Sequence, residues 1–186
     1  MNPAPGQTVG PFFHLGLRYD GGNELVPSTD PGAVRLHGRV FDGDGAPVPD
    51  AMVEIWQADP DGKVVRAPGS LRRDGWTFTG WGRAATDPDG RYWFSTLEPG
   101  ATAPGRPPFF AVTVFARGLL DRLFTRAYLP DPELLGADPL LAALPPERAA
   151  TLVSTREPTG LLFDIHLQGE SETVFLSFPG QRDYWA

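Results

Sequence analysis

Three clusters of turn residues divide the first half of this chain and leave it little choice of fold. They are Asp42-Gly43-Asp44-Gly45, Asp59-Pro60-Asp61-Gly62 and Asp87-Pro88-Asp89-Gly90. Gly supplies positive φ, Pro presets φ at the first corner, and an Asp side chain closes an Asx-turn, so each cluster reverses the chain. Around them apolar and polar residues alternate: LHGRVF from Leu36, AMVEIW from Ala51 and RYWFSTL from Arg91. A period of two is the mark of a strand with one buried face. Half-buried strands joined by reversals predict an all-β protein, an antiparallel β-sandwich.

The remaining segments fit that frame. Residues 1–33 form an N-terminal arm and loop, extended and punctuated by Pro3, Pro5, Gly6, Gly10 and Pro11, in which a helix has no place over the first 13 residues. Phe12, Phe13 and Leu15 are too apolar for a solvated tail and predict that the arm lies on a surface of this chain or of a partner. Residues 34–186 make up the sandwich domain. On the second strand, alternation places Met52, Glu54 and Trp56 on one face and Val53 and Ile55 on the other. The run FFAVTVFA from Phe109 is nearly all apolar and predicts the most buried strand. Leu123 to Leu129 offers another strand. Asp138-Pro139 and Pro146-Glu147 open two short helices near residues 138–153. Gly160–Leu167 and Thr173–Phe178 are expected to close the chain as strands.

Composition narrows the function. Gly 22 and Pro 21 make up nearly a quarter of 186 residues, the signature of a loop-rich β protein, while 41% hydrophobic content excludes disorder. A net charge of −7 with no basic stripe argues against nucleic acid. There is no Cys, hence no disulfide and no thiolate metal site. The N-terminus lacks the basic and apolar regions of a signal peptide, and no apolar run has the length of a membrane span, so a cytoplasmic protein without membrane contact is expected. His14, His37 and His166 are scattered and share no metal-ligand spacing. Neither a phosphate loop nor a nucleophile elbow occurs. Read from residues alone, the chain is a sandwich with several loop arginines and no evident catalytic centre.

A set of motifs in fixed order adds to this. Gly38-Arg39-Val40, Pro47-Val48-Pro49, Trp56-Gln57-Ala58-Asp59, Gly82-Arg83 with Thr86-Asp87, the Pro99-Gly100 corner and Phe163-Asp164-Ile165 together resemble the intradiol ring-cleavage dioxygenases. Within that family, the arm Gln7-Thr8-Val9-Gly10-Pro11-Phe12, the turn Phe115-Ala116-Arg117-Gly118 and the stretch Gln168 to Phe175 resemble the α-type subunit of a two-subunit member. The resemblance implies a ferric ion bound by two Tyr and two His, hard phenolate oxygens suiting Fe(III). It assigns those ligand positions to Val64, Thr102, Phe109 and Ala111, none of which is a competent donor. It therefore implies no catalytic or metal-binding residue in this chain, Fe(III) in an iron-bearing β subunit, and a hetero-oligomer acting on protocatechuate and O2. It also implies that Thr8, Gly10, Pro11 and Arg117 line the substrate pocket, a guanidinium suiting an anionic ring acid. Two other readings stay open: a non-catalytic binding module derived from the fold, and a stand-alone enzyme using ligands such as His37 and His166.

Overall fold

The computed structural model describes residue 10 and residues 12–178. In chain order the elements are α1 (Phe13–Gly16), β1 (Ala33–Phe41), β2 (Met52–Gln57), β3 (Trp81–Ala85), β4 (Arg91–Leu97), β5 (Phe109–Phe115), β6 (Leu123–Tyr128), α2 (Pro132–Leu135), α3 (Pro139–Ala142), α4 (Pro146–Ala150), β7 (Thr155–Glu157), β8 (Gly160–Leu162) and β9 (Ile165–His166). One sheet runs β4-β1-β8-β7, with β9 also on β1, and the other runs β3-β2-β5-β6. Leu36, Val40 and Phe94 from the first sheet meet Val53, Ile55, Phe110, Val112 and Val114 from the second in one core. The expected sandwich is present. Its turn clusters behave as their residues require: Gly45, Gly62 and Gly90 adopt φ of 77°, 80° and 72°, and Asp42, Asp59 and Asp87 each accept backbone N–H groups.

Several elements depart from the sequence reading. The sandwich is not wholly antiparallel. β8 and β9 lie parallel to β1: the chain returns to this sheet through the helical segment after β6, and the β7–β8 hairpin then turns β8 to run alongside β1. The β5 strand is not buried on both faces. Phe110, Val112 and Val114 are buried while Ala111 is exposed, because the helices cover the outer face only at one end. Thr173–Phe178 is not a strand. Thr173 N bonds to His166 O in one sheet and Leu176 N to Phe124 O in the other, so the segment crosses between sheets and builds no ladder. The last predicted strand before it breaks at Phe163-Asp164 into β8 and β9, and β7 forms over residues with no alternation.

The helical region holds three short helices, not two. Asp138 caps α3 through the N–H groups of Leu140 and Leu141, as the Asp-Pro pair predicts. Asp131-Pro132 has the same chemistry and starts α2, which the sequence reading passed over. A further single turn, α1, forms where the arm enters the loop, without a side-chain cap. The loop after it is structural: Leu25 is buried in the core, and Leu25 N bonds to Ser95 O on the edge of β4.

The motif Trp56-Gln57-Ala58 has a structural role at the join of the sheets. Buried Gln57 donates from Nε2 to Leu97 O at 2.8 Å and accepts from the Thr96 hydroxyl at 2.5 Å, linking β2 to β4 across the core. Thr86, just past β3, ties that strand to the segment leading into β2, donating to Val48 O at 2.8 Å and accepting from Ala51 N at 2.9 Å.

Candidate functional site

The outer face of the second sheet carries two distinct ends along β5. Register pairs Met52 with Phe115 and Gln57 with Phe110, so the start of β2 lies beside the end of β5 and the reverse. Asp50, just before β2, and Arg117, just after β5, therefore meet. Arg117 Nε lies 2.8 Å from Asp50 Oδ2, and the side chains are 61% and 10% exposed respectively. A mostly buried carboxylate thus holds one edge of a guanidinium whose other edge faces solvent. Among the described residues the η nitrogens of Arg117 have no partner, and Asp50 Oδ1 accepts no hydrogen bond. A planar guanidinium fixed on one side presents its remaining donors in a set direction, which suits a carboxylate.

Gly10 comes to the same end. Its carbonyl accepts from Phe13 N at 3.3 Å, and the Phe13 ring lies 6.4 Å from that of Phe115, two residues before Arg117. Gly10 itself is exposed. Thr8 and Pro11, expected beside it, lie outside the described residues. Phe12, just before α1, and Leu15 on it are largely exposed.

The other end of β5 holds the positions that the resemblance assigns to iron ligands. Val64 bridges to Ala58 just past β2. The Pro99-Gly100 corner packs on the Asp59-to-Gly62 turn: Gly100 N bonds to Asp59 O, and a Cβ on Gly100 would lie 2.2 Å from Pro60 O. That corner brings Thr102 to this end, two residues on. Ala111 pairs with Trp56 on β2 and with Arg126 on β6. Phe109 joins a small apolar cluster with Tyr128, Leu141 and Leu152 under the helices. The Arg126 guanidinium stands 4.2 Å from the centre of the Phe109 ring and donates to Tyr128 Oη at 2.8 Å.

These residues do not fit a ferric ion. Val, Phe and Ala offer no donor atom and Thr a weak one, while the fixed cation of Arg126 opposes a second cation nearby. Burial pushes the Tyr128 phenol up, with Arg126 pulling the other way, so it is no ready phenolate. Among the described residues no three of His, Cys, Asp and Glu gather as a metal group. His37 lies 3.5 Å from Glu157, and His166 stacks on Phe41, both on the first sheet and across the sandwich from this end.

Sequence reasoning missed Arg126 and left Glu54 unexplained. The alternation Phe124, Arg126, Tyr128 places Arg126 on the outer face, yet nothing in the local sequence names Phe109 as its partner. Glu54 accepts from Arg83 Nε and Nη2 at 2.8 and 2.6 Å, while Arg83 also bonds to Leu17 O and stacks over Trp81. It is half of an ion pair that ties β2, β3 and the N-terminal loop.

Comparison with known proteins fits this geometry. The model of the dioxygenase family, Dioxygenase_C, matches residues 10–169. The protocatechuate 3,4-dioxygenase alpha chain of Burkholderia cepacia is 39% identical over 193 residues, covering 94% of this chain and 97% of that one. The beta chain of the same enzyme and organism is 35% identical, covering 90% of this chain and 76% of its own. Among solved structures, the dioxygenase domain of a carbohydrate-binding fusion from Streptomyces sp. SirexAA-E superimposes with a TM-score of 0.55 at 26% identity, over 90% of this chain and 99% of that one. The chain belongs to the intradiol dioxygenase family. The family resemblance read from the sequence is thereby borne out.

Proposed function

We propose that this chain is the iron-free subunit of a heteromeric protocatechuate 3,4-dioxygenase and that it lends pocket residues and scaffold to a homologous iron-bearing β subunit. One observation carries the proposal: the positions that the resemblance assigns to the iron ligands hold Val64, Thr102, Phe109 and Ala111, and Phe109 sits beneath Arg126. Separate alpha and beta chains of the Burkholderia enzyme are each similar to this chain, which supports a two-chain assembly. In the reaction, the ring bond between the two hydroxylated carbons of protocatechuate breaks. Both atoms of O2 enter the product, 3-carboxy-cis,cis-muconate, with Fe(III) of the partner supporting the chemistry.

The contribution of this chain is positional. Arg117, held by Asp50, offers its open edge to the substrate carboxylate, a charge-assisted contact made in fixed geometry. Gly10 lets the arm approach the substrate without a side chain in the way, and Thr8 and Pro11 complete that wall. Oxygen uptake with protocatechuate tests the assignment. The chain alone is expected to be inactive and the co-expressed pair active. Activity of the lone chain would refute it, and failure to associate with any iron-bearing homologue would leave a binding module. Deleting residues 1–13 is expected to slow turnover of the pair without lowering the melting temperature of this chain.

A further inference from the structure

A groove of about 820 Å³ runs over the outer face of the first sheet and reaches β3 of the second, with no β5 residue in its lining, and its chemistry differs from the rest of this acidic chain. Five arginines and three carboxylates line it. The carboxylates are already engaged. Asp87 accepts from the backbone N–H groups of Asp89 and Arg91 and pairs with the Arg91 side chain. Asp164 accepts from Arg39 N at 2.8 Å, and Glu157 faces His37. Of the arginines, Arg83 is held by Glu54 and Arg91 by Asp89. The guanidinium groups of Arg18, Arg35 and Arg39 have no acid partner among the described residues, and all three side chains are exposed.

The free cations are spaced for a ligand with more than one anionic group. Arg35 and Arg39 lie four residues apart on β1, about 13 Å along a strand, and face the same side with His37 between them. Arg35 is steadied over the Trp93 ring at 5.3 Å. Arg18 reaches the groove from the loop that precedes β1. Three guanidiniums without an acid partner in one concavity leave donor edges that an anion with more than one acidic group can join. The volume matches a small-molecule site.

We propose that this groove binds a small organic or inorganic anion bearing two or more carboxylate or phosphate groups, held between Arg35 and Arg39 with Arg18 at the lip. The site is independent of the subunit assignment above. Its test is calorimetry on the purified full-length chain at constant ionic strength, with tricarballylate, inorganic pyrophosphate and acetate as probes. Saturable binding of one equivalent of a multivalent probe is expected, with acetate at least about tenfold weaker. Binding of tricarballylate alone identifies a polycarboxylate site and of pyrophosphate alone a phosphate site; either supports the proposal. The double variant Arg35→Gln/Arg39→Gln is expected to lose about tenfold or more in affinity, while Arg66→Gln, outside the groove, leaves it unchanged. Circular dichroism checks that the double variant folds. No saturation below about 10 mM, equal binding by the double variant, or self-association of the chain that the double variant abolishes would overturn the proposal.

Discussion

The two ends of β5 share a strand, a sheet and an outer face, yet they have gone opposite ways. At the Phe109 end the side chains are closed over. Phe109 and Tyr128 pack under the helices, and the Arg126 cation is spent on an aromatic ring and a phenol. At the Arg117 end the charge is left open, pinned from behind by a buried carboxylate and bordered by the N-terminal arm. The first end is packing, and under the proposed function the second is the surface that holds the substrate's carboxylate. A substitution at the first should therefore cost stability, and one at the second should cost substrate affinity.

The sharpest way to break that contrast is Phe109→Ala. Loss of a half-buried ring and its cation contact is expected to lower unfolding free energy by about 2–4 kcal/mol, read by denaturant titration. The KM of the assembled pair should not change; a large KM effect would mean that the Phe109 end still meets substrate. Next in size is Arg117→Ala in the assembled pair. Loss of a charge-assisted bond of about 1.5–3 kcal/mol is expected to raise KM for protocatechuate about ten- to a hundredfold, with little effect on uncharged catechol. Equal loss on both substrates would make Arg117 a structural residue.

The third prediction concerns alkaline pH. Tyr92 and Tyr128 hold their protons more tightly in the fold, burial being the main cause, with Asp164 adding to it at Tyr92. A raised folded pKa contributes stability that is complete below the unfolded value, about 10, and is lost as pH rises towards the folded values. Unfolding free energy is expected to fall above about pH 10 by up to about 1.4 kcal/mol per pH unit for each tyrosine. Tyr92→Phe should make that slope shallower, with Tyr128 and Tyr19 supplying the remainder; an unchanged slope would exclude Tyr92 as a source. The smallest effect is that of Arg126→Gln, about 1 kcal/mol of stability. It should leave KM unaltered, in contrast to Arg117→Ala.

The sequence made the sandwich legible because turn chemistry and period-two alternation are local signals. Asp42, Asp59 and Asp87 with their glycines marked the reversals, and Asp138-Pro139 marked a helix. The parallel placement of β8 and β9, the crossing path of residues 173–178 and the one-sided burial of β5 were not legible, since each depends on which distant segment covers it. The site divided in the same way. Arg117 and Gly10 were proposed through their motifs, but Asp50, which pairs with Arg117, is 67 residues away in the chain and carries no local mark. Arg126 was missed for the same reason. Two of the motifs that resembled the family hold joints of the fold: Gln57 ties β2 to β4, and Thr86 ties the end of β3 to the segment before β2, through buried hydrogen bonds. Such residues are needed whether or not the chain holds a metal, so they identify the family without locating its chemistry.

Metal analysis bears most directly on the claim that Val64, Thr102, Phe109 and Ala111 have left this chain unable to hold iron. The chain is expressed alone in iron-rich medium, and beside a homologue bearing the Tyr and His ligands. The account predicts a colourless lone chain with far less than one iron, and a coloured pair with about one iron for its two chains. A lone chain that purifies coloured, with a full equivalent of tightly bound iron, would contradict it.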